Sequence, residues 1–344
     1  MDNFWMGGRC SEEADVKCRV TRQMCVWLFT AALVVVVGCR SRGPEARPRE
    51  SGDDEFPVVM ADAQGVEVVV SSRPERIVSA APAVTEILFA LGAGDRVVAV
   101  TDHCNYPAEA AARPKIGGFR TPSTERTLGA RPDLVIGSRG NPPDFVSAVR
   151  RSECPVFTID PKTLDDIYAV IGQIAAIIGE QEAGERLAGE MRGRLSEVER
   201  RVADIPEAER ATAFIVLQVS PVWTTGAGTF QDDAIRAAGG RNVAGETKGF
   251  RAFSTESLLA ADPDFLLLST MEGDPDRMKR EVVASPALRR LSAVRGDGIV
   301  LLEADPIMRA GPRIVEAVEA MAEAFYPGRF SSSVRPSSSA TSAR

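Results

Sequence analysis

Residues 118–138 read GFRTPSTERTLGARPDLVIGS, and residues 249–269 read GFRAFSTESLLAADPDFLLLS. Aligned without a gap, 11 of the 21 positions are identical, and several others exchange one aliphatic residue for another. Identity of that density marks an internal repeat, so the two copies occupy equivalent places in two related lobes. Each copy reads as a short helix followed by a strand. Ser123 and Ser254 stand at N-cap positions, with Glu125 and Glu256 in the first helical turn, where the helix dipole favours negative charge. Leu128, and the pair Leu258 and Leu259, supply the helix with apolar contacts. Pro132-Asp133 and Pro263-Asp264 then break it and launch apolar runs at 134–137 and 265–269, which suit buried parallel strands.

The same alternation extends outward. Strands are expected at 76–80, 97–101 and 156–159 in the first half, and at 213–218 and 299–302 in the second. Helices are expected at 84–91, 232–238 and 313–325. Strand-helix alternation predicts an α/β fold of two Rossmann-like lobes with mainly parallel sheets, over 57–160 and 211–327. Between them Ile167, Val170, Ile171, Ile174, Ala175 and Ile178 share one helix face. After Gly179 the pattern resumes with Leu187, Met191, Leu195, Val198 and Val202. A long connecting helix is therefore expected over 161–203, as one piece or as two in sequence. Such a crossover restricts how far the lobes can open.

The N-terminus reads as an address. Lys17, Arg19 and Arg22 precede an apolar run from Cys25 to Val37, closed by Gly38 and Cys39. A basic segment, a short apolar segment and small residues describe an export signal. The run is shorter than the roughly 20 apolar residues that span a bilayer. Cysteine after Val-Val-Gly resembles a bacterial lipobox, which makes residues 1–38 a lipoprotein signal peptide and Cys39 the acylated new N-terminus. A plain signal peptide or a short anchor helix are the other readings. The polar first twenty or so residues are long for such a signal and point to a start further in. Residues 39–56 are charged and poor in large apolar side chains, as in a solvated tether, and residues 328–344 read as a Ser-rich disordered tail.

Six cysteines suggest a disulfide framework until the signal is removed, after which only Cys104 and Cys154 remain beside Cys39. Cys104 falls after the C-end of one expected strand and Cys154 before the N-end of another. In a parallel sheet these are opposite edges, so no bridge is expected.

The chain has 344 residues and a net charge of −7, which gives no footprint for nucleic acid. Phosphate-cradling glycine loops, a G-x-S-x-G elbow and G-x-G-x-x-G are missing from the sequence, and its single histidine, His103, rules out a His-rich metal site. The chemistry favours a binder without a resident cofactor over an enzyme. Glu125 and Glu256 read either as matched carboxylates meeting arginines on a two-fold membrane partner or as plain helix N-terminal charges. Phe119 and Phe250 follow glycines in polar sequence, and Trp223 lies in a strand-terminal loop. Walls of a ligand cleft are favoured for all three over core packing. His103, past a strand's C-end, reads equally as a ligand contact or as a solvated loop residue.

From about Val58 to Phe325 the chain resembles the class III, helix-linked periplasmic binding proteins of ABC importers, and within them the cobalamin (vitamin B12)-binding members. The resemblance rests on Arg73-Pro74-Glu75-Arg76-Ile77-Val78-Ser79, Pro82 with Thr85-Glu86, Asn105-Tyr106-Pro107 and Arg131-Pro132-Asp133-Leu134 in the first lobe. In the second it rests on Thr225-Gly226, Gly239-Gly240-Arg241-Asn242, and Arg309 with Pro312-Arg313. It implies a monomer that holds a corrinoid between the lobes with His103, Phe119, Trp223 and Phe250. It also implies polar ligand contacts from Asp305 and Arg309, and Glu125 and Glu256 docked on an ABC permease dimer. Aromatic character is kept at the four cleft positions although each identity differs from the cobalamin binders'. Haem or a ferric siderophore is the alternative cargo. An iron–sulfur enzyme on a related scaffold and a ligand-free surface lipoprotein are the remaining alternatives.

Overall fold

The computed structural model describes residues 56–269 and 275–330. The expected signal peptide, Cys39, the tether up to residue 55 and the tail from residue 331 lie outside the described residues. In the first lobe four parallel strands stand in the order Val97–Val100, Ile77–Ser79, Leu134–Ser138, Val156–Ile159. In the second the order is Arg241–Asn242, Thr212–Val216, Phe265–Leu268, Ile299–Leu301, again parallel. Numbered by their sequence within each lobe, both sheets run second, first, third, fourth. The duplication read from 21 residues therefore extends to the whole sheet topology.

The repeat itself folds twice in the same way. Ser123 caps helix Thr124–Gly129 by accepting the Arg126 amide, and Ser254 caps helix Thr255–Ala261 by accepting the Ser257 amide. The Pro-Asp pairs do more than end these helices. Asp133 accepts the amides of Glu75 at 2.7 Å and Arg76 at 3.0 Å, and Asp264 accepts that of Thr212 at 2.8 Å. Each carboxylate thus ties the third strand of its lobe to the entry of the first, its direct neighbour in the sheet.

Side chains alternate between two sides of each sheet, as strand geometry requires. Ala213, Ile215 and Leu267 point into a continuous core shared with Ile77, Leu134 and the linker residues Ile171, Ile174, Met191 and Leu195. Phe214, Val216, Leu266 and Leu268 fill a second core, and Val78, Val135 and Phe145 a third. The linker is two helices, Leu164–Ile178 and Gln181–Val202, divided where Gly179 takes φ 71°, a left-handed C-cap that glycine adopts without steric cost. Glu180 at the break pairs with Arg73 at 2.6 Å and Arg96 at 2.7 Å, pinning the corner to the first lobe. Because the inner faces of both sheets share one core with these helices, the crossover is a spine, and hinge bending about it would have to disrupt packed side chains.

Phe56, the last residue assigned to the tether, packs against this core instead. At the other end the chain stays folded beyond 327, since Pro327–Phe330 is a short helix whose Arg329 pairs with Asp204. Cys104 and Cys154 are free thiols, and burial, with the charge of Asp133 adding, pushes Cys154 up to about 11. Among the described residues no helix is long and apolar enough to cross a membrane.

An opening hairpin, Val58–Ala61 with Glu67–Val70, is held by one buried carboxylate. Asp62 accepts the amides of Gln64 and Val66, the Thr158 hydroxyl and the Arg150 guanidinium. Burial by itself raises this carboxyl, but the Thr158 hydroxyl, the Val66 and Gln64 amides and Arg150 together hold it below the usual carboxylate range. Removing one partner of a buried, hydrogen-bonded pair leaves the other uncompensated. Asp62→Ala is therefore expected to cost about 3 kcal/mol in urea unfolding at neutral pH. A lowered folded-state value means the contribution is present above the unfolded value of about 3.9 and is lost as pH falls through the folded one. The gap between wild type and variant should accordingly narrow in acid; a gap that holds constant with falling pH contradicts the assignment.

Candidate functional site

The loops that leave the C-terminal ends of the two sheets meet each other, and the site is built on them. In the first lobe the loop after Val97–Val100 is anchored from within. Cys104 is buried and lies 3.0 Å from the Thr85 hydroxyl and 3.1 Å from that of Thr101. With Cys104 turned inward, His103, Asn105 and Tyr106 are exposed on either side of it. Phe119 lies in the turn of the small hairpin formed by Gly117–Gly118 and Thr121–Pro122. Asn141 donates to the carbonyls of Phe119 at 3.0 Å and Ala80 at 2.9 Å, fixing the hairpin to the sheet edge. The Phe119 ring lies over Gly140, where an added Cβ would sit 2.6 Å from its Cζ, and it is half-buried against the main core. Phe119 thus has a share in the core as well as a face at the loop cluster.

In the second lobe Trp223 is on a strand, not in a loop. Strand Val222–Thr225 pairs with Gln218–Val219 on one side and with Phe250–Ala252 on the other, all antiparallel. The register sets Trp223 opposite Ala252 and Phe250 opposite Thr225, so Trp223 and Phe250 are diagonal neighbours on one face. Both remain exposed, at 39% and 50%. Two large aromatic side chains are thus placed side by side and left uncovered.

Charged side chains also join the two lobes directly. Arg309, after the short helix Ala304–Met308, reaches Glu86 at 2.8 Å, Asn105 at 2.8 Å, the His103 carbonyl at 3.0 Å and Asp305 at 2.7 Å. Arg313 forks onto both Glu86 oxygens at 2.9 and 2.8 Å, and its guanidinium lies 4.0 Å from the Tyr106 ring centre. Asp305 also accepts from Asn105 at 2.9 Å. Asp305 and Arg309 are therefore both committed to contacts between the lobes. Their centre, Glu86, was missed from sequence. The signal was there: a carboxylate inside the apolar helix Pro82–Ala90, with only 3% of the residue exposed, demands a charged partner from elsewhere in the fold.

Glu125 and Glu256 are exposed at equivalent helix starts, one per lobe. The Ser254 hydroxyl donates to Glu256 at 2.8 Å and, with a backbone amide, holds its carboxyl below the usual range. A recess of about 840 Å³ lies between the second linker helix and helix Ile314–Phe325. Arg194, Glu197, Glu316 and Glu319 line it, and none of the predicted site residues does. Val198, Leu301, Leu302 and Phe330 line it beside these charges, so its walls are mixed.

Comparison with known proteins places this geometry. A family model described as periplasmic binding protein matches residues 77–306. The ABC transporter substrate-binding lipoprotein YvrC of Bacillus subtilis (strain 168) is 28% identical over 306 residues, covering 87% of this chain and 95% of the relative. The vitamin B12-binding protein of Vibrio cholerae serotype O1 is 30% identical over 247 residues, 71% of this chain and 87% of the relative. Among solved structures, the periplasmic heme-binding protein RhuT from Roseiflexus sp. RS-1 in apo form is similar, with a TM-score of 0.64 at 30% identity. The match covers 74% of this chain and 99% of that one. Relatives of comparable similarity thus carry the names of two different ligands.

Proposed function

This chain belongs to the periplasmic binding protein family, a family of transport proteins rather than enzymes, and we propose that it captures a corrinoid between its lobes for delivery to an ABC permease. The observation that carries the ligand reading is the exposed pair Trp223 and Phe250 on one sheet face. A corrinoid is a broad, flat ring rimmed by amides and methyls, and aromatic faces cover such a ring by dispersion and apolar burial at low conformational cost. The linker spine supports the same reading, because a rigid frame loses little freedom when a rigid ligand enters. Lipidation at Cys39 is part of the proposal, supported by the Val-Val-Gly-Cys sequence and by the lipoprotein name of the Bacillus relative. So is an extracytoplasmic, membrane-anchored, monomeric state.

Trp5 and Trp27 fall within the expected signal segment, so in a chain freed of residues 1–38 Trp223 is the only indole. Cyanocobalamin is expected to quench its fluorescence with a Kd of roughly 1 μM or below. Unchanged fluorescence, with no heat in calorimetry, would refute the corrinoid assignment. A haem reading has one observation in its favour, the exposed imidazole of His103 beside the Arg309 contact. A Soret shift on mixing with haemin that disappears in His103→Ala would select it.

A further inference from the structure

We propose that Glu86 is a specificity-determining residue that sets the charge preference of the cleft, an inference that rests on the ligand-binding role given above. Ligands of this size divide by charge: some are rimmed by neutral amides, others carry carboxylates. A free arginine at a cleft selects the second kind, since guanidinium and carboxylate match in geometry as well as charge. Here Arg309 and Arg313 stand where the two lobes meet, yet neither is free. Each terminal nitrogen of Arg309 has two acceptors: Glu86 and Asn105 for one, Asp305 and the His103 carbonyl for the other. Arg313 is held by both oxygens of Glu86 and by the Tyr106 ring.

The two arginines are matched by two carboxylates, Glu86 and Asp305, so these four side chains together carry no net charge; Glu316 also acts on Arg313, and burial raises its carboxyl toward the neutral form. The carboxylates differ in role. Asp305 is 31% exposed at its side chain and belongs to the same lobe as the arginines, whereas Glu86 is 2% exposed and comes from the opposite lobe. Glu86 therefore acts as a built-in substitute for a ligand's carboxylate. An anionic ligand must displace it or find no positive charge, and a neutral ligand meets a neutral wall.

The prediction is one of sign. Binding of cyanocobalamin and of haemin, which bears two carboxylates, is measured on the full chain and expressed as a ratio of affinities. Glu86→Gln leaves the cluster with a net positive charge and should move the ratio toward haemin by at least about tenfold, the low end of what one close charge pair contributes at an interface. Arg313→Gln leaves it net negative, with Glu86 still paired to Arg309, and should move the ratio the other way. Combining the two restores neutrality and should return the ratio to within about threefold of wild type. A loosened contact between lobes would move both single variants alike, so equal shifts, or no shift in either, overturn the proposal. Should Glu86→Gln not fold, the direction of Arg313→Gln alone decides. If the wild type binds neither probe, the corrinoid reading has failed by itself. Glu86 is then judged by whether Glu86→Gln gains haemin binding, and no gain overturns the role assigned to it.

Discussion

Replacing Glu125 and Glu256 together by arginine is expected to lower ligand import through the cognate permease more than about 100-fold while leaving ligand affinity unchanged, because like charges brought face to face at an interface cost several kcal/mol. The two residues are exposed and occupy matching positions in lobes whose sheets have the same strand order. A permease dimer has a two-fold axis, and a partner with duplicated halves can offer it the same contact twice. Both residues also sit in the first turn of their helices, and Ser254 donates to Glu256. The capping bonds come from Ser123 and Ser254, and these survive the substitutions. Uptake into proteoliposomes holding the permease, with binding measured in parallel, provides the check. Import within twofold of wild type would remove the docking role; loss of ligand binding alongside import would instead place the glutamates in the ligand site. Single substitutions should each give a partial loss, since one lobe still docks.

The architecture was legible because a repeat constrains topology twice. Eleven shared residues pointed to equivalent lobes, and the sheets have the same strand order even where sequence similarity is absent, as between Val97–Val100 and Arg241–Asn242. The linker's break was readable at Gly179, although periodicity alone left open whether the helix continues through it, since glycine both interrupts a helix and caps one. Trp223 was harder. Ser220-Pro221 and Thr225-Gly226 on either side carry turn signals that mask a strand of four residues, and its partner strand is a segment nearly thirty positions away, a non-local pairing that local propensity does not report. Least legible was Glu86. Its partners Arg309 and Arg313 lie more than 200 positions downstream, and sequence periodicity reports only which face of a helix a residue occupies, never which distant charge it meets.

Removing both Trp223 and Phe250 side chains is expected to weaken ligand binding by about 100-fold or more. At 39% and 50% exposure, the two rings leave roughly 90 Å² each for a ligand to cover. At about 25 cal/mol per Å², burial of that surface contributes roughly 4–5 kcal/mol, near three powers of ten in Kd. Part of this is offset by ordering of ligand and side chains, which sets the lower figure of about 100-fold. Trp223→Ala and Phe250→Ala should each show less than half the combined effect if the rings cover one ligand face together, because diagonal neighbours on a sheet shield each other's edges. The substituted positions are at the surface, and Thr224 and Thr225, fully buried on the same strand, are untouched. The fold should therefore survive, with thermal unfolding as the control. Calorimetry against cyanocobalamin gives the answer. A double variant that binds within threefold of wild type would show that this aromatic face is not where the ligand rests.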